Sequence, residues 1–129
     1  MTADFVDITI VGLDEEHTTR ADPNLPLYDV HFVLSAPLPA GWARFAQATI
    51  GPRGVAGRRG WPQSRHLVVR CPIDEVEVVL AALGPVVEAT NWRYRTWAAD
   101  ETVARAAEEA FDRGERQKLR ELTPRLVFN

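Results

Sequence analysis

Apolar and polar residues alternate with a period of two over residues 27–35 (LYDVHFVLS). Tyr28, Val30, Phe32 and Leu34 fall on one side, and Asp29, His31, Val33 and Ser35 on the other. That is the pattern of a strand with one face in a core. Residues 66–71 (HLVVRC) repeat it more briefly, with Leu67, Val69 and Cys71 inward. Residues 4–13 (DFVDITIVGL) are β-branched and partly alternating, which predicts a strand with Val6, Ile8 and Ile10 on one face. The polar, proline-containing stretch 15–26 then reads as a loop.

The period changes after Pro37 and Pro39. Trp42, Phe45, Ala46 and Thr49 are at helical spacing, and Gly51-Pro52 ends the pattern. Residues 51–65 (GPRGVAGRRGWPQSR) hold four Gly and two Pro. Neither a helix nor a central strand persists through such a run, so it predicts a long basic loop with at most an irregular edge strand. Residues 74–83 read as a helix burying Val76, Val79, Leu80 and Leu83, with Gly84-Pro85 as its stop. Residues 86–97 (VVEATNWRYRTW) read as a strand interrupted near Thr90 and Asn91. A helix over 101–122, capped by Asp100, closes the chain, with Gly114 as a point where it could break.

These elements predict a single α+β domain over residues 1–129. Its antiparallel sheet has about four strands, with two or three helices mainly on one face. The arrangement expected is ferredoxin-like, a split β-α-β, plus an extra N-terminal strand and a C-terminal helix. Strand 27–35 is expected between strands 66–71 and 86–97. The opposite face should then display Asp29, His31, His66, Arg70, Arg93 and Arg95.

Composition narrows the class without naming an activity. The chain is 46% hydrophobic and 26% charged, with four Trp, which suits an ordinary core and excludes wholesale disorder. A single cysteine, Cys71, excludes an internal disulfide and a multi-thiolate zinc site. The acidic first twenty residues do not read as a signal peptide and no apolar run is long enough to span a bilayer, so a cytoplasmic location is expected.

Charge is segregated behind the net value of −3. Residues 1–29 carry seven carboxylates and one Arg, residues 30–73 six Arg and no carboxylate, and residues 74–129 eleven carboxylates and eight bases. Such blocks create a local positive potential, or neutralise one another, acidic arm against basic loop.

The binding residues nominated on these grounds are Arg53, Arg58, Arg59, Trp61 and Arg65 in the basic loop, and His31, His66 and Arg70 on the sheet. Arginines beside a Trp are what single-stranded nucleic acid sites use. The run Gly51-Pro52-Arg53-Gly54 resembles the Gly-x-x-Gly turn of KH domains, yet Gly57, Gly60 and Pro62 exclude the helix that should follow. The sheet positions offer no Phe or Tyr of the kind that RNA-recognition motifs present for stacking. His31 and His66 could form an anion site with Arg70 or a metal pair with Asp29, but strand histidines are more often solvated or hydrogen-bonded. Cys71 alternates with core residues and reads as a buried structural thiol. Trp42, Trp92 and Tyr94 fall at core spacings, whereas Trp61 and Trp97 are harder to bury.

No motif for a phosphate loop, dinucleotide fold, zinc protease or nucleophile elbow is present. No catalytic residue, metal ligand or cofactor is therefore assigned. The reading favoured is a small non-enzymatic module that binds a protein partner or itself, for instance by packing two sheet faces together. The second is nucleic-acid binding by loop 51–65, and the third an enzyme using Cys71 or the His31 and His66 pair.

Overall fold

The computed structural model describes residues 5–127. Four strands, β1 (Ile10–Arg20), β2 (Tyr28–Leu34), β3 (Gly60–Gln63) and β4 (His66–Cys71), form one antiparallel sheet in the order β1-β2-β4-β3. Helix α1 (Ala40–Ile50) lies between β2 and β3. A 3-10 turn (Ile73–Glu75) leads from β4 into a 47-residue helix, α2 (Val76–Leu122). The chain divides into two compact units at Arg95/Thr96, a boundary that falls within α2.

The first unit holds the core. Val30, Phe32 and Leu34 of β2 and Leu67, Val69 and Cys71 of β4 project from one face of the sheet, as their alternation predicts. They meet Trp42, Ala46 and Ile50 of α1, and Val79, Leu83 and Val87 of α2. Fully burying a side chain of this kind is worth roughly 1.5–3 kcal/mol, so the face with its helices is the main source of stability.

One polar group is built into this apolar layer. Asn91, 4% exposed, accepts hydrogen bonds through Oδ1 from the Ile8 amide (3.1 Å) and the Trp42 indole (2.8 Å). It donates through Nδ2 to the Ile8 carbonyl (2.8 Å). The segment before β1 is thereby tied to α2 and α1 through one side chain.

Several expectations are corrected. Residues 86–97 are helix, not strand, so β2 lies between β4 and β1, and Arg93 and Arg95 belong to α2 rather than to the sheet. Arg93 lies over the Phe45 ring at 5.0 Å, and Arg95 pairs with Asp7. Trp92 is 62% exposed and is not a core residue, whereas Tyr94 does pack against the core. The first strand is displaced along the chain: it begins at Ile10 and takes in residues 15–20 of the stretch expected to be a loop, whereas 21–26 is loop. Val6 is exposed while Ile8 is buried, and Asp4 lies outside the described residues. The expected stop at Gly84-Pro85 does not end α2, nor does Gly114 break it. Leu80, placed on the buried side, is exposed.

The second unit consists of the distal part of α2 and a 3-10 turn at Thr123–Arg125. Among the described residues it has no second α-helix or strand. Val103, Phe111, Leu119 and Leu126 are exposed along it. Glu101 with Arg105 and Glu109 with Arg113 stand at i,i+4, yet neither is an ion pair among the described residues. The ion pair within 96–127, among the described residues, is Lys118 with Glu115. No described helix is long and apolar enough to cross a membrane.

Candidate functional site

The sheet face away from the helices carries one histidine cluster. His31 on β2 and His66 at the start of β4 project to this side because the register pairs His31 with Val68 and Val33 with His66. Their Nδ1 atoms are 3.0 Å apart, and the two rings meet edge to face at 5.1 Å between centroids. His17, the third histidine in the chain, joins them with ring centroids 6.1 Å from His31 and 5.8 Å from His66.

An irregularity in β1 delivers His17 there. Asp14 pairs with His31 and Thr19 with Asp29, so residues 15–18 stand opposite Val30 alone. The excess folds into a turn. The Asp14 carboxylate accepts from the His17 amide (3.1 Å) and lies 2.7 Å from His17 Nδ1. The Thr18 hydroxyl donates to the Asp14 carbonyl (2.7 Å) and accepts from the His31 amide (3.1 Å). Bulges of this kind re-aim side chains out of a ladder. Asp14 Oδ2 also lies 3.6 Å from His66 Nε2, so His31, His66, Asp14 and His17 form a chain of contacts.

Proton affinities follow from this packing. Burial, reinforced by the neighbouring His66 and His17 charges, lowers the His31 pKa below its ordinary 6.5. The hydrogen bond from the His17 amide, helped by the His17 side chain, lowers that of Asp14 against the opposing effect of burial. The His31 to His66 contact needs one ring as donor and the other as acceptor, so it survives with at most one of the two protonated. On folding, His31 becomes a poorer base, and the unfolded chain takes up the proton first. Its contribution to stability is full above about pH 6.5 and is lost as pH falls below that value. Urea unfolding at about pH 7.5 and 5.5 should show a drop in midpoint that His31→Gln makes smaller. An equal drop in both proteins would refute the assignment.

Arg70 does not join the histidines. Its guanidinium is bound by Asp29 (2.8 and 3.3 Å), which removes Asp29 from any pairing with His31. Among the described residues no group of three His, Cys, Asp or Glu is arranged to hold a metal ion. Cys71 is buried, and burial raises its thiol pKa against a weaker opposing effect of Arg58. That is the setting of an inert core thiol.

Loop 51–65 is ordered around a second feature. β3, its edge strand, pairs with β4, and Pro62 is tolerated there because an edge residue need not donate on its outer side. Val55 is buried. It closes a small hairpin on Arg58 through two backbone hydrogen bonds of 2.7 and 2.9 Å. Arg58 makes a bidentate pair with Glu75, and Arg65 donates to the Leu34 and Ser35 carbonyls. Trp61, half-buried, has the Arg59 and Arg70 guanidinium carbons 5.5 and 5.6 Å from its ring. A cleft of about 630 Å³ lies over this loop, lined by Gln47, Arg53, Arg58, Arg59, Trp61 and the backbone of four glycines.

No family model matches this chain, nor does any curated protein or solved structure.

Of the eight nominated residues, Arg53, Arg58, Arg59 and Trp61 therefore share one cleft. His31 and His66 share one cluster, Arg70 links Asp29 to Trp61, and Arg65 fastens the β3–β4 turn to the end of β2. His17 and Asp14 were not nominated. Their spacing of three, with an Asp able to cap the later amide, was the signal that a turn could bring them together.

Proposed function

We propose that the chain is a non-enzymatic protein-binding module that acts as a homodimer, joined by the distal part of α2 rather than by the sheet face. The observation that carries this reading is the apolar stripe of the second unit. Val103, Ala107, Ala110, Phe111 and Gly114 recur at helical spacing over about 17 Å of helix at 1.5 Å per residue. Val103 is 70% and Phe111 66% exposed. A lone helix cannot cover its own stripe, and exposed apolar surface of this extent marks an interaction site.

Charge identifies the occupant as a second copy running antiparallel. Residues 100–112 carry five carboxylates and one Arg, whereas residues 113–125 carry five bases and two carboxylates. Parallel pairing sets like charge against like. Antiparallel pairing sets each acidic half against a basic half, the charge matching that fixes orientation in helix pairs. The small residues of the stripe suit close approach of two backbones. The sheet face is a poorer candidate, since its charged groups are engaged within the chain.

The same reading takes residues 5–95 as a split β-α-β core of ferredoxin-like type. Its support is the strand order, in which β1 fills the edge beside β2 that the expected strand 86–97 was to fill. Sedimentation equilibrium of the full chain tests the assembly. A dimer is expected, converted to monomer by Val103→Glu with Phe111→Glu, while the fluorescence-monitored unfolding midpoint of the first unit is unchanged. A strict monomer at high concentration, or a dimer indifferent to both changes, would remove the proposal.

A further inference from the structure

We infer that the cleft over loop 51–65 is a binding site for the phosphate group of a phosphate ester. The six arginines of residues 30–73 have different surroundings in the fold. Arg58 and Arg70 are neutralised by Glu75 and Asp29, and Arg65 is spent on backbone carbonyls. Arg44, Arg53 and Arg59 have no carboxylate within ion-pairing distance among the described residues, and Arg53 and Arg59 line the same cleft. No lining residue is acidic.

The cleft also has the right construction for an anion. Stacking against Trp61 orients the Arg59 guanidinium, so less side-chain freedom is lost when it pairs with an oxyanion. Gly57 lines the cleft with nothing within 4 Å of where a Cβ would stand, so a ligand can approach the backbone there, as in glycine-rich loops that cradle phosphates. The volume, about 630 Å³, lies within the usual span of small-ligand sites, roughly 300–1,000 Å³. The phosphates could come from a free nucleotide or from the backbone of a single strand. The chemistry recognised is the same, and the site lies wholly in the first unit, independent of the dimer.

The test is isothermal titration calorimetry of the full chain at low salt with inorganic pyrophosphate, ATP and a single-stranded RNA 12-mer. Pyrophosphate and ATP should bind, and Arg53→Gln with Arg59→Gln should weaken both by at least tenfold. Arg44→Gln, which removes an equally unpaired charge outside the cleft, should change them less than twofold. An RNA affinity more than tenfold above that of ATP, lost in the same double variant, would assign the phosphates to a nucleic-acid backbone. Comparable affinities would assign them to a free nucleotide. No binding of any probe, or equal losses in the Arg44 and double variants, would overturn the site.

Discussion

Replacing Trp42 by alanine is expected to destabilise the first unit by about 3–5 kcal/mol, the range for emptying a fully buried aromatic position. Trp42 is 0% exposed and lies in the layer between α1 and the sheet, so little can collapse into the space it leaves. The indole also supplies one of the two hydrogen bonds that Asn91 Oδ1 accepts. Trp42→Phe keeps most of the volume and leaves that oxygen with the Ile8 amide, so a smaller loss is expected. Asn91→Leu is the more informative partner. It leaves the Ile8 amide, the Ile8 carbonyl and the Trp42 N–H without their acceptor or donor, and each orphaned buried group costs about 1–3 kcal/mol. Urea unfolding followed by tryptophan fluorescence should therefore rank Trp42→Ala and Asn91→Leu well below Trp42→Phe. Because Trp42 and Asn91 share a hydrogen bond, the double variant should lose less than the two single losses combined. Additivity would show that the network does not act as a unit.

The same contacts explain why part of this fold was legible in the sequence and part was not. β2 and β4 alternate because each has one face in the core and is flanked on both edges, so burial itself writes the period. β1 is an edge strand whose central residues leave the ladder to form the His17 turn, and its Asp-Glu-Glu-His-Thr-Thr run therefore lacks the apolar alternation that identifies a strand. Residues 86–97 misled through composition. Val86, Val87, Thr90 and Trp92 favour strands as residue types, and Gly84-Pro85 resembles a helix end.

Position overrides both signals. Val79, Leu83, Val87 and Asn91 recur every four residues along one buried line of α2, and Pro85 falls off that line. Its missing N–H forfeits one hydrogen bond to the Ala81 carbonyl, a local loss that the continuous buried line outweighs. The basic loop was legible as a loop and as a cluster of arginines. Which arginines were already neutralised depended on Glu75 and Asp29, contacts across 17 and 41 residues that no local pattern encodes.

Gly54→Ala should be the most damaging single change in the loop. Gly54 has φ of +71°, and a Cβ there would lie 2.0 Å from the Arg58 carbonyl oxygen, which itself accepts the Val55 amide. Holding a residue with a side chain in the left-handed region costs about 1–3 kcal/mol. The overlap with backbone adds to that, because relieving it requires the Val55–Arg58 hairpin to open and its buried valine to shift. Gly57→Ala is the matched control. Its φ is +77°, yet nothing lies within 4 Å of the added carbon, so only the conformational cost applies. The unfolding midpoint should fall further for Gly54→Ala than for Gly57→Ala, and only Gly54→Ala should distort the wall of the cleft formed by Arg58 and Arg59. Pyrophosphate affinity would then fall in Gly54→Ala and persist in Gly57→Ala under conditions where both remain folded. If both substitutions were equally mild, the close approach of Gly54 to Arg58 would not be what holds the hairpin in place. The pairing of Arg58 with Glu75 and the burial of Val55 would then have to be enough to hold the loop.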